Sequence, residues 1–164
     1  IAIFARAALL QPLGMPGAMG HAGAATPPLD WTGITTVVMR NLPGKYSQHM
    51  LLTEINHTSF LGSFDFLYLP ADQGTKQNHG YAFVNFIDSG FAWLFKLAYE
   101  GRRMNRFSSE EVISVVPAVH QGLEANYERY AVLSQPGGRG DPAERPLFLH
   151  APRRAAPAPE PSAG

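Results

Sequence analysis

Residues 79–86 read HGYAFVNF, and an extended chain sends successive side chains to opposite faces. His79, Tyr81, Phe83 and Asn85 therefore share one face, and Gly80, Ala82, Val84 and Phe86 share the other. Val84 and Phe86 suit the underside of packed helices, where Gly80 and Ala82 are small enough to let a helix approach. That assignment sends two neighbouring rings, Tyr81 and Phe83, to the face the helices leave uncovered.

The flanking sequence predicts the rest of such a sheet. TTVVMRNL, 35–42, alternates around β-branched residues as a first strand, and Pro43 and Gly44 end it. Ser47 can cap a helix that carries Leu51, Leu52 and Ile55 on one face and runs to about Thr58. FDFLYLP, 64–70, sets Phe64, Phe66 and Tyr68 against Asp65, Leu67 and Leu69, and joins 79–86 through the turn-rich DQGTKQN as a hairpin. Ser89 can cap a second helix with an apolar stripe of Phe91, Ala92, Phe95, Ala98 and Tyr99, stopped at Gly101. EVISVVPAVH, 111–120, reads as a fourth strand, and Pro117 argues for a sheet edge because proline cannot donate to a ladder.

The order βαββαβ is the ferredoxin-like split βαβ arrangement of the α+β class. Right-handed crossovers lay both helices on one face of a four-stranded antiparallel sheet. A third helix is predicted from about Leu123 to Leu133, with Leu123, Tyr127 and Tyr130 on one stripe. These elements divide the chain into a disordered linker over 1–30, a domain with a C-terminal helical extension over 31–134, a loop and apolar docking segment over 135–150 (RPLFLH, 145–150), and a disordered tail over 151–164. Ile1 in place of Met leads to the expectation that the chain is a fragment whose linker is truncated.

Composition narrows the function. Thirteen Lys and Arg balance thirteen Asp and Glu, so no basic excess announces a polyanion partner. Within 35–120 seven cations meet seven anions, so counterion release promises little generic affinity for a polyanion. The chain has no cysteine, which excludes disulfides, thiolate zinc sites and a cysteine nucleophile, and fits an intracellular protein of the nucleus, the cytoplasm or both. No apolar run is long enough to span a bilayer. His49, His57, His79 and His120 lack partner ligands at metal spacing, and neither a glycine-rich phosphate cradle, a Ser, His and Asp grouping nor paired carboxylates can be placed on the uncovered face, so neither metal, cofactor nor enzymatic chemistry is expected.

Exposed aromatic rings two residues apart form a stacking platform for unpaired bases, each stack being worth about 1 to 3 kcal/mol. HGYAFVNF resembles the longer signature of the RNA recognition motif, departing from it only at His79, and VVMRNL, 37–42, resembles the shorter signature. TTVVMRNLPGKYSQHMLLTEIN, FDFLYLPAD, GYAFVNFID and RPLFLH together resemble the C-terminal RNA recognition motif of the Mei-two-like proteins, regulators of meiosis and development in fungi and plants. The resemblance implies that Tyr81 and Phe83 stack bases and that Val38 and Arg40 flank them on the first strand. Val38, where the general motif has an aromatic residue, can cover a base without stacking on it.

Phe66 and Tyr68 are the second candidate pair, provided Leu67 and Leu69 face the helices. Asn85 and Arg40 can reach base edges or phosphate, His79 a phosphate, and Lys45, Lys76, Arg102 and Arg103 the RNA backbone from loops. The expected partner is single-stranded RNA. The competing expectation is a protein-interaction module in which the third helix or RPLFLH covers Tyr81 and Phe83 and turns the face into a second core.

Overall fold

A computed structural model describes residues 26–136 and 141–150. Of the linker predicted over 1–30, residues 1–25 lie outside the described residues, as does the tail predicted over 151–164; the end of the linker stretch enters a 3-10 turn, Leu29–Trp31. Strands β1 (Thr36–Arg40), β2 (Phe64–Tyr68), β3 (Tyr81–Phe86) and β4 (Ser114–Pro117) pair antiparallel, with a two-residue β5 (Leu147–Phe148) added beyond β2. The order across the sheet is β4-β1-β3-β2-β5, which puts β3 at the centre and Pro117 on an edge strand, as its missing N–H requires.

Helices α1 (Gln48–Asn56) and α2 (Ser89–Tyr99) cover one face. Ser47 caps α1 by accepting from the Met50 N–H, whereas α2 is capped by Asp88 and not Ser89, through the Gly90 N–H at 2.7 Å. Leu51 and Ile55 from α1, with Ala92 and Phe95 from α2, pack on Val37, Met39, Leu67, Ala82 and Val84, all with no exposed surface. A closely packed aromatic cluster of Phe60, Phe86, Phe95 and Tyr99 completes this core, its ring centroids 4.5–6.4 Å apart.

Two local departures reshape the expected strands. The register slips between Phe64 and Phe66, so the alternation expected over 64–69 breaks. Phe64 joins Leu67 and Leu69 in the core, and of the three rings Phe66 and Tyr68 alone turn to the other face. Gly80 is needed for its backbone rather than for helix packing: its φ of +85° lies in the left-handed region, and the nearest atom to an added Cβ is the Leu42 carbonyl oxygen at 4.0 Å. That kink, with the Gly80 N–H held by Asn78 Oδ1 at 2.7 Å, starts β3 at Tyr81.

A third helix, α3 (Leu123–Ser134), lies against the second face of the sheet. No described helix is long and apolar enough to cross a membrane.

Candidate nucleic-acid interface

Directly paired residues share a face, so the ladder defines the surface opposite α1 and α2. Thr36 pairs with Asn85, Val38 with Phe83 and Arg40 with Tyr81, while Phe66 and Tyr68 on β2 face Asn85 and Phe83. All eight residues singled out from the sequence belong to this surface or its margin. They do not share one environment.

Half of the surface is closed. Phe66 has 0% exposure, its ring stacked between Tyr130 of α3 (5.7 Å, 18°) and Phe148 of β5 (4.8 Å, 28°). Asn85, at 3% exposure, donates to Asp65 Oδ1 and accepts from Thr36 Oγ1, both at 2.7 Å. Phe66 and Asn85 are thus corrected from RNA contacts to members of a second, smaller core: Tyr130 and Phe148 of the C-terminal segments occupy the ring faces of Phe66, and Asp65 and Thr36 of the neighbouring strands occupy the amide of Asn85. Tyr68 is half-buried against Tyr130, and burial, reinforced by Tyr130 and Tyr81, raises its phenol pKa.

The closure is anchored by polar groups. Asn126, 1% exposed on the first turns of α3, donates to Thr36 Oγ1 at 3.1 Å, and the Gly122 N–H donates to the same oxygen at 2.9 Å. Gln121 Oε1 accepts the Thr35 and Thr36 N–H groups at 2.9 Å, and its Nε2 donates to the Thr36 and Ala118 carbonyls at 2.8 Å. Lifting the helix would leave several of these groups unpaired, at about 1 to 3 kcal/mol for each that stays buried. Beside Asn126, Tyr127 meets Phe148 edge to face at 5.1 Å, and at the other end of α3 Ser134 Oγ donates to the Pro146 carbonyl at 2.9 Å.

The other half is open. Tyr81 and Phe83 remain half-buried, edge to face at 5.6 Å, with His79 6.2 Å beyond Tyr81 and Tyr130 touching the far side of Phe83 at 5.7 Å. Together they floor a cleft of about 730 Å³ walled by β1, the 117–120 segment and α3. Val38, 9% exposed, forms part of its base, as an aliphatic residue that covers without stacking. Arg40, His79, His120 and Arg129 line it against a single carboxylate, Glu111. Among the described residues neither Arg40 nor Arg129 takes part in an ion pair. Lys45, Lys76, Arg102 and Arg103 lie outside it, Lys76 paired to Glu144 at 3.4 Å and Arg103 to Glu110 at 2.7 Å.

A family model described as RNA recognition motif 2 matches residues 34–131, more than half of the chain. The chain belongs to that family. Curated relatives of this RNA recognition motif are Protein MEI2-like 5 of Oryza sativa subsp. japonica, 43% identical over 56% of this chain and 11% of that protein, and Protein MEI2-like 1 of Arabidopsis thaliana, 35% identical over 71% of this chain and 12% of that protein. The chain thus spans about an eighth or less of the length of these two relatives. A solved structure, of the Rna15 RRM with bound RNA (GU), superposes with a TM-score of 0.46 at 15% identity, covering 57% of this chain and 93% of that one.

Sequence reading missed Gln121, Asn126 and Arg129 and left the partner of Tyr130 undecided. Asn126 did carry a signal. It falls between Leu123, Tyr127 and Tyr130 at helical spacing, a polar residue in an apolar stripe, which marks a buried hydrogen-bonding demand.

Proposed function

We propose that this RNA recognition motif binds single-stranded RNA in the cleft beside α3, as one domain of a larger intracellular Mei-two-like post-transcriptional regulator, and performs no chemistry. The partly exposed pair of Tyr81 and Phe83 on the central strand carries the proposal. Two adjacent rings with access to solvent can each accept a base face, and Arg40 and Arg129, neither in an ion pair among the described residues, with His79 at the rim suit the phosphates that follow. Val38 forms part of the floor, and Tyr68 on β2 supports it from outside the lining, paired beside Phe83 and packed on Tyr130. The binding unit runs over 31–134, with 145–150 docked as an added edge.

The test is fluorescence anisotropy of a labelled, unstructured ten-nucleotide RNA of random sequence against the full chain and the Tyr81→Ala, Phe83→Ala double variant. If both rings stack, the double substitution costs about 2 to 6 kcal/mol of affinity. Equal affinity of the two proteins overturns the reading.

A second reading, a protein-interaction module, draws on the complete burial of Phe66 beneath Tyr130 and Phe148. A partner held by the outer surfaces of α1 and α2 would bind the double variant and the parent chain alike.

A further inference from the structure

We propose that α3 is a fixed wall of the RNA site rather than a lid over it, and that Arg129 on that wall is an RNA phosphate contact. The inference rests on the RNA-binding reading above and adds to it how the C-terminal helix takes part.

A helix that must leave for RNA to enter is held by contacts that separate without stranding polar groups. Here both ends of α3 are held. At the N-terminal end Asn126, Gln121 and the Gly122 N–H converge on Thr36, whose hydroxyl passes the chain of hydrogen bonds to Asn85 and on to Asp65. Neither Asn126 nor Asn85 has more than 3% of its surface exposed, so water does not stand ready to replace these partners. At the C-terminal end Ser134 holds the Pro146 carbonyl just before β5, and Tyr127 nearer the start of the helix packs on Phe148 of β5.

Between the two anchors Tyr130 lies nearly parallel to Phe66 at 18°, in the position a stacked base would take. The protein therefore satisfies that ring itself and leaves Tyr81 and Phe83 to the ligand.

Arg129 sits next to this ring on the side that lines the cleft. Its Nε donates to the Tyr130 hydroxyl at 3.3 Å, and its guanidinium stands 5.5 Å from the Tyr130 ring. The side chain is exposed and makes no ion pair among the described residues, so its remaining donors face the cleft's solvent. Arg40 is the matching cation on the β1 side, and an RNA strand crossing Tyr81 and Phe83 passes between them.

Two measurements on the full chain with the random ten-nucleotide RNA test this. Amide hydrogen exchange of 123–134, with and without RNA, should show protection kept or raised on binding; deprotection of these amides on binding overturns the wall. Arg129→Gln should weaken RNA binding several-fold and flatten the dependence of log affinity on log salt by about 0.7, the share of one phosphate contact on a single strand, with Arg129→Lys restoring most of the slope. An unchanged slope in Arg129→Gln overturns the contact. Absence of binding by the parent chain sinks the RNA-binding reading itself, whereas binding that depends on Tyr81 and Phe83 but loosens α3 sinks only the inference about the helix.

Discussion

Phe66 and Tyr81 are both aromatic residues aimed at the same face of the sheet, yet their substitution should do opposite things. Phe66 is sealed between two rings, so Phe66→Ala is expected to cost about 3 to 5 kcal/mol of folding stability, read as a lowered urea midpoint. Tyr81 keeps access to solvent, and Tyr81→Ala should change folding stability by less than about 1 kcal/mol while reducing RNA affinity. Glu100 predicts a pH effect. Burial alone would raise its pKa, but the hydrogen bonds from Lys96 Nζ (2.9 Å) and the Val115 N–H (2.6 Å) outweigh it and hold the carboxyl below its ordinary 4.5. Because the folded-state pKa is the depressed one, this contribution is present above pH 4.5 and is lost as the pH falls through the folded value. Glu100→Gln should thus narrow the difference between urea midpoints at pH 6 and pH 3; an undiminished difference would contradict it. The alternation of HGYAFVNF located Tyr81 and Phe83 from sequence alone, because a period of two needs no knowledge of the rest of the fold. Nothing in that alternation distinguishes a glycine chosen for helix packing from one chosen for a positive φ, and Gly80 proved to be the second kind.

All four main strands and three helices were visible as periodic apolar patterns, and the elements on which the site depends most were not fully described by such patterns. The stripe on α3 shows that one side of the helix must be covered. It does not say which surface covers it, and the answer came from Tyr130, Asn126 and Gln121 meeting β1, β2 and β3. β5 is two residues long, too short for any alternation to register, and becomes a strand because the edge of β2 offers it partners. The slip at Phe64–Phe66 is likewise a pairing property, invisible in one strand read alone. The polar anchor of α3 can be tested by Asn126→Ala. Leaving Thr36 and its neighbours short of a donor should cost about 1 to 3 kcal/mol and raise the exchange rates of the 123–134 amides more than those of α1 or α2. Equal changes in all three helices would mean that Asn126 is no special link between α3 and the sheet.

The molecule as a whole presents a neutral chain with a small, locally cationic cleft on one half of a sheet whose other half is closed by its own C-terminal segments. Such a balance predicts RNA affinity that weakens only gently with salt. With Arg40 and Arg129 as the two phosphate contacts, the slope of log affinity against log salt should lie near about −1.4, far from that of proteins that neutralise many phosphates. A steep slope, measured by anisotropy across a salt series, would place the RNA on some other, more basic surface. The division of the sheet face into a closed and an open half can be read out by photo-cross-linking the full chain to a 4-thiouridine-substituted single-stranded RNA and mapping the adducts by mass spectrometry. Adducts should fall on Tyr81 and Phe83, with none on Phe66 or Phe148; adducts on Phe66 or Phe148, or none anywhere on this face, would contradict the account.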